Sequence, residues 1–236
     1  RAPRTSARTA PSPAPPRAKA QTRASRRLAR VRDRIALTRP RILPLILLMV
    51  PCASALDRGG WPEPALLIGL VAGTGALAAG AGALNAWWER DRDARMARTR
   101  DRPLPGGRLA PRDALGLGAA LSGLGLAVLW IEAGSASAGL GALALVHYLV
   151  VYTIWLKPRS PWSTVAGAFS GAAPALIADA ADGRVGLWGL VLFAIVFLWQ
   201  PPHVWAIGLY RREEYAAAGF PLMPVVRDAV RTRRHM

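Results

Sequence analysis

Six long apolar stretches, none containing a lysine or an arginine, alternate along this chain with short segments that hold nearly all of its positive charge. They cover roughly residues 42–56, 64–88, 114–131, 134–156, 162–180 and 185–210. A lipid-spanning helix needs about 20 apolar residues, with a range near 17–25. Lipid offers no hydrogen bonds, so a chain crossing it must satisfy its backbone internally, and separate apolar runs do so as helices. The expected fold is therefore all-α, a polytopic transmembrane helical bundle of six helices. The first stretch is short and interrupted by Pro51, and Asp179 sits at the edge of the fifth.

Charge gives the expected topology. Of 31 lysines and arginines, 13 lie in residues 1–41, 8 in 89–113, 2 in 157–159 and 6 in 211–236, leaving only Arg58 and Arg184 elsewhere. Basic residues confined to alternate loops follow the positive-inside rule, which puts both termini and these loops in the cytoplasm. The net charge of +17 then reports topology and not a nucleic-acid partner. The single cysteine, Cys52, excludes an internal disulfide and a cysteine-based zinc site. His147, His203 and His235 are too scattered for a local metal motif.

Residues 1–34 are expected to be a disordered basic tail and residues 35–236 the membrane domain. Pro3, Pro11, Pro13, Pro15 and Pro16 forbid a continuous early helix. The start of the chain is rich in Arg and Ser without acidic residues, so a mitochondrial transit peptide is the alternative reading.

Chemistry concentrates in the loops. At 100° per residue, Glu89 lies about 40° and Asp93 about 80° around a helix from Asn85, whereas Asp91 lies about 240° away. One amide and two carboxylates on one stripe suit a hard cation such as magnesium, which takes one or two carboxylates plus phosphate oxygens. Arg98 and Arg102 in the same loop suit bidentate phosphate contacts. A mixed-charge loop that only anchors topology is the other reading. Glu213 and Glu214 follow the sixth stretch. Gln200 and His203 interrupt its apolar run beside Pro201 and Pro202, and polar residues inside a membrane are functional candidates. Gly167 and Gly171 form a GxxxG pair for close helix packing.

Residues 85–109 resemble the signature of the protohaem IX farnesyltransferases (haem O synthases), a branch of the intramembrane aromatic prenyltransferases. The likeness extends through ThrArgProArg (38–41), TyrThrIleTrpLeuLys (152–157), SerProTrpSerThrValAlaGly (160–167), TrpGlnProProHis (199–203) and GluGluTyrAlaAlaAlaGlyPhePro (213–221). It implies transfer of a farnesyl group from farnesyl diphosphate to a vinyl group of haem B, giving haem O. It implies magnesium held by Asn85, Glu89 and Asp93 and by Glu213 and Glu214, where the family usually has an Asp pair. Arg98, Arg102 and Lys157 would neutralise the diphosphate, and Arg41, Gln200 and His203 would bind substrate. The implied partners, besides the substrates and the lipid bilayer, are a haem A synthase or an oxidase assembly factor. The implied location is the bacterial inner membrane, or alternatively the mitochondrial inner membrane. Family members typically have about nine helices, so the chain is expected to be truncated at its C-terminus and inactive as it stands. A related prenyltransferase for a quinone or chlorophyll precursor, or an inactive membrane fragment, are the rival readings.

Overall fold

The computed structural model describes residues 23–236, and the expectations for residues 1–22 lie outside that range. Helix α1 spans Arg23–Leu37, crossing the boundary at residue 34 expected between the disordered tail and the membrane domain. After a turn at Thr38–Ile42 come α2 (Leu43–Leu56), α3 (Pro64–Asp93), α4 (Pro111–Val146), a π-helix (His147–Leu156), α5 (Ser163–Asp179) and α6 (Leu187–Tyr210). Three short helices close the chain: α7 (Arg212–Ala217), α8 (Met223–Val226) and α9 (Ala229–Arg233).

Among the described residues, four segments are long and apolar enough to cross a membrane, and one of them, Pro111–Leu156, runs 46 residues. At 1.5 Å per residue that is roughly 70 Å, twice the hydrocarbon thickness of a bilayer. The excess length is taken up at Gly134, whose backbone (φ 81°, ψ 178°) is open only to glycine. There α4 doubles back. Before Gly134 it descends along α3, with Ser122 facing Gly80 and Glu132 facing Gly69; after it, Gly141 returns beside Leu77. The third and fourth stretches of the sequence are thus the two arms of one element. The sequence placed the loop between them at Glu132 and Ala133, but helical backbone continues through both and the reversal falls on one glycine.

The arms approach α3 closely because their contact residues lack side chains. A Cβ on Gly125 would lie 2.6 Å from the Leu77 backbone nitrogen. Lipid tails are as apolar as leucine, so such van der Waals approach, not water exclusion, holds membrane helices together. The GxxxG pair of α5 divides its faces: Gly167 abuts the Tyr152 ring and Gly171 the Gln200 amide. Val50, Leu70, Leu77, Leu129 and Ile177 form the central core where α2, α3, α4 and α5 meet. All connections carrying clustered basic residues gather at one end of this bundle, where α3, the π-helix and α6 finish.

Candidate active site

Asn85, Glu89 and Asp93 occupy the last turns of α3, and all three are buried, at 0%, 4% and 3% exposure. The helix continues through Asp93, so the expected stripe forms. Asp91 points to solvent, 3.6 Å from Arg90.

Each member of the stripe meets a cation from a different segment. Arg39, in the α1–α2 turn, donates to the Asn85 side-chain oxygen. Lys157 Nζ lies 2.5 Å from Glu89 Oε1. Arg102 Nη1 lies 2.8 Å from Asp93 Oδ2. Asn85 Nδ2 also donates to Thr153 Oγ1 at 3.2 Å. Thr99 Oγ1 donates to the Asp93 carbonyl at 2.7 Å, which ties the loop that carries Arg102 to the end of α3.

The π-helix makes part of this arrangement. Its bonds run i→i+5, so residues five apart stack instead of diverging as on an α-helix. Lys157 N donates to the Tyr152 carbonyl at 2.8 Å, and its Nζ lies 5.4 Å from the Tyr152 ring centroid. Burial alone would lower the Lys157 pKa, but the adjoining Glu89 carboxylate outweighs it and raises the value above the usual lysine range. Lys157 is therefore a fixed positive charge.

The second acidic segment folds over the first. Glu214 on α7 lies 3.9 Å from Arg98 and 3.2 Å from Arg211, whereas Glu213 faces solvent. Gly219, at φ 72°, turns the chain so that Phe220 is buried beside Met96. The Phe220 ring stands 5.0 Å from Lys157 Nζ and 5.2 Å from the Arg92 guanidinium, distances at which cation–π attraction operates.

Below this charged roof lies a cavity of about 270 Å³. Arg39, Lys157, Tyr148 and Tyr152 line its polar part; Leu77, Ile46, Pro174, Ile177 and Val204 line the rest. An apolar pocket with two cations at one end suits an amphiphile with an anionic head and a long apolar tail.

The sequence-derived candidates separate on this geometry. Asn85, Glu89, Asp93, Arg102 and Lys157 converge, and Arg98 and Glu214 join at the rim. Gln200 lines the cavity and donates to the Ala168 carbonyl at 3.3 Å. His203 does not reach it: on α6 it sits on the exposed side, stacked on Trp199 at 4.4 Å. Arg41 also faces solvent, and its neighbour Arg39, which the sequence reading passed over, takes the inward position. Arg39 adopts φ 54°, a left-handed backbone that turns its side chain toward α3. Its signal was the position before Pro40, which disfavours helical backbone. Tyr148 reads from the sequence as an ordinary interior residue and Tyr152 and Phe220 carry no signal, because nothing in their spacing marks a π-helix or a capping turn.

Among the described residues, no group of three His, Cys, Asp or Glu side chains stands ready for a metal. The donor chemistry nevertheless fits a hard divalent cation: two carboxylates and an amide oxygen on one buried stripe.

A model of the UbiA prenyltransferase family matches residues 45–236. The chain is 39% identical over 216 residues to the protoheme IX farnesyltransferase of Azorhizobium caulinodans, covering 90% of this chain and 69% of that relative. To the protein of that name from Symbiobacterium thermophilum it is 43% identical over 204 residues, covering 86% and 68%. To the one from Prochlorococcus marinus it is 45% identical over 203 residues, covering 85% and 60%. The fold is similar to that of a UbiA homolog from Archaeoglobus fulgidus bound to GPP and Mg2+, with a TM-score of 0.65 at 18% identity, covering 86% of this chain and 72% of that one.

Proposed function

The chain belongs to the UbiA prenyltransferase family, in its protohaem IX farnesyltransferase branch, and from that premise we propose that it transfers the farnesyl group of farnesyl diphosphate to a vinyl group of haem B, yielding haem O. The observation that carries this reading is the amphiphilic cavity, apolar through α2, α3, α5 and α6 and cationic at Arg39 and Lys157. A farnesyl tail fits the apolar part and a diphosphate the cationic end.

Glu89, Asp93 and Asn85, with Glu214 at the rim, would hold magnesium, which when bound supplies positive charge to a departing diphosphate. In the ligand-free chain, Lys157 and Arg102 pair with Glu89 and Asp93, so neither of these two carboxylates stands alone. An isolated buried charge is strongly unfavourable. When a diphosphate enters, these cations and Arg39 turn to its oxygens, and the carboxylates are freed for the metal. Lys157 neutralises the leaving group as a positive charge.

The bond between farnesyl C1 and the diphosphate oxygen breaks, and the electron pair leaves with the diphosphate. A vinyl carbon of haem B attacks C1, forming a carbon–carbon bond. Water adds to the resulting cationic carbon and loses a proton, leaving the hydroxyl of haem O. The tight helix packing around the cavity keeps water from the allylic cation before the vinyl group arrives. Tyr148 and Tyr152 present aromatic rings beside the cationic end, where they favour positive charge. The basic end of the bundle faces the cytoplasm of a bacterial cell, so the diphosphate enters from that side.

The test is expression of this chain in cells lacking their own haem O synthase, followed by haem extraction. Haem O is the product this reading expects, in contrast to the inactivity expected from the family's nine helices. Absence of haem O from cells in which the chain is inserted and folded defeats the reading.

A further inference from the structure

Helix α1 carries a narrow apolar stripe on which nothing packs among the described residues. At 100° per residue, Leu28, Val31 and Ile35 fall within about 60° of one another. They are 71%, 53% and 52% exposed, although each is a large aliphatic side chain. The opposite side is where α1 is held. Asp33, about 140° from Leu28, binds Arg108 Nε at 3.1 Å. Leu37, about 180° from Leu28, is buried with Ala83, Leu104 and Leu109. The rest of the fold therefore grips one face of α1 and leaves the apolar face pointing outward.

We propose that α1 lies in the surface of the bilayer that the chain itself spans, with Leu28, Val31 and Ile35 among the acyl chains and its arginines on anionic phospholipid headgroups. Charge and position both favour that occupant. Arg27, Arg30 and Arg34 sit about 200–260° around from Leu28, with Arg32 at the stripe's margin; Asp33 is the one acid in the helix and is already engaged by Arg108. A helix with aliphatic residues on one face and arginines around the other binds an anionic interface, the long arginine stems letting the guanidinium groups reach the headgroups. The short Thr38–Ile42 turn joins α1 to α2, and the exposed Ile42, Leu45 and Leu48 open a second apolar surface directly after it. The Arg108 loop would cover α1 from the aqueous side. The proposal rests on the membrane reading and not on the reaction assigned above.

The test uses the full chain with Cys52→Ala, reconstituted into vesicles of phosphatidylcholine alone or of phosphatidylcholine with phosphatidylglycerol. Single cysteines replace Leu28, Val31, Ile35, Arg27, Arg30 or Arg34 and carry a spin label. The expected result is oxygen access exceeding that of a water-soluble nickel chelate at 28, 31 and 35, the reverse at 27, 30 and 34, and a larger contrast with phosphatidylglycerol present. High nickel access at all six positions would place α1 in water and overturn the proposal. Labels at 28, 31 and 35 shielded from both reagents would mean that protein, such as a second copy of the chain, covers the stripe, and would overturn it as well. A contrast independent of phosphatidylglycerol would overturn the headgroup assignment.

Discussion

Lys157 and Glu89 meet at 2.5 Å across the basic end of the bundle, locking the turn after the π-helix to the end of α3. Glu89 is buried, at 4% exposure, and Lys157 is half-buried over it, so the pair behaves unlike a surface salt bridge. Its members cannot be removed singly without stranding a charge.

Lys157→Met is therefore expected to destabilise the chain by about 3–5 kcal/mol, because Glu89 is left buried and unpaired. The double variant Lys157→Met with Glu89→Gln should regain most of that loss while remaining inactive. Thermal unfolding in detergent measures the first quantity and haem O formation the second. A double variant no more stable than the single one counts against the pairing.

Asp93→Asn should lower turnover about a hundredfold or more, the scale seen when one electrostatic contact to a developing charge is lost. The amide can still accept from Arg102, so insertion and folding should persist. Asp91→Asn, on the exposed side of α3, should stay within about twofold of the parent. Equal losses in the two variants would mean that the buried stripe is not the metal-binding face.

Arg39 and Arg41 flank Pro40, yet only Arg39 faces the site. A charge-assisted hydrogen bond contributes about 1.5–3 kcal/mol, so Arg39→Ala should raise KM for the prenyl diphosphate by roughly ten- to a hundredfold. Arg41→Ala should change it by less than about twofold. Steady-state kinetics with both variants checks the choice, and a reversal of their order would refute it.

Gly125→Ala should separate α4 from α3, since the new methyl group meets backbone at Leu77 and Gly73. An overpacking cost of about 1–3 kcal/mol is expected. Gly123→Ala, two residues away, meets open space and should be neutral or stabilising by up to about 1 kcal/mol. Denaturation of the two variants in mixed detergent measures the difference.

In a chain with Cys52→Ala, a cysteine at Gly106 is expected to resist a membrane-impermeant maleimide in intact cells and to react once the cells are opened. A cysteine at Arg184, at the opposite end of the bundle, should react in intact cells. Labelling at position 106 from outside would invert the topology.

The sequence by itself determined that the chain is a helical membrane bundle, because lipid leaves an apolar run no other way to satisfy its backbone. It also determined the Asn85–Glu89–Asp93 stripe, since residues four apart share a face wherever an α-helix continues. Both properties are local, written by residues within a turn or two of each other. What the tertiary structure alone decided is partnership. Asn85 meets Arg39 and not Arg41 because a left-handed residue in the α1–α2 turn sets which arginine points inward. Lys157 reaches Glu89 through a π-helix, whose winding leaves no 3.6-residue signature to read. His203 stacks on Trp199 outside the cavity, although its polarity in an apolar run made it a functional candidate. The two central stretches become one hairpin because a single glycine takes a backbone closed to other residues. Each of these depends on where segments distant in sequence come to lie, and periodicity along one helix carries no record of its neighbour.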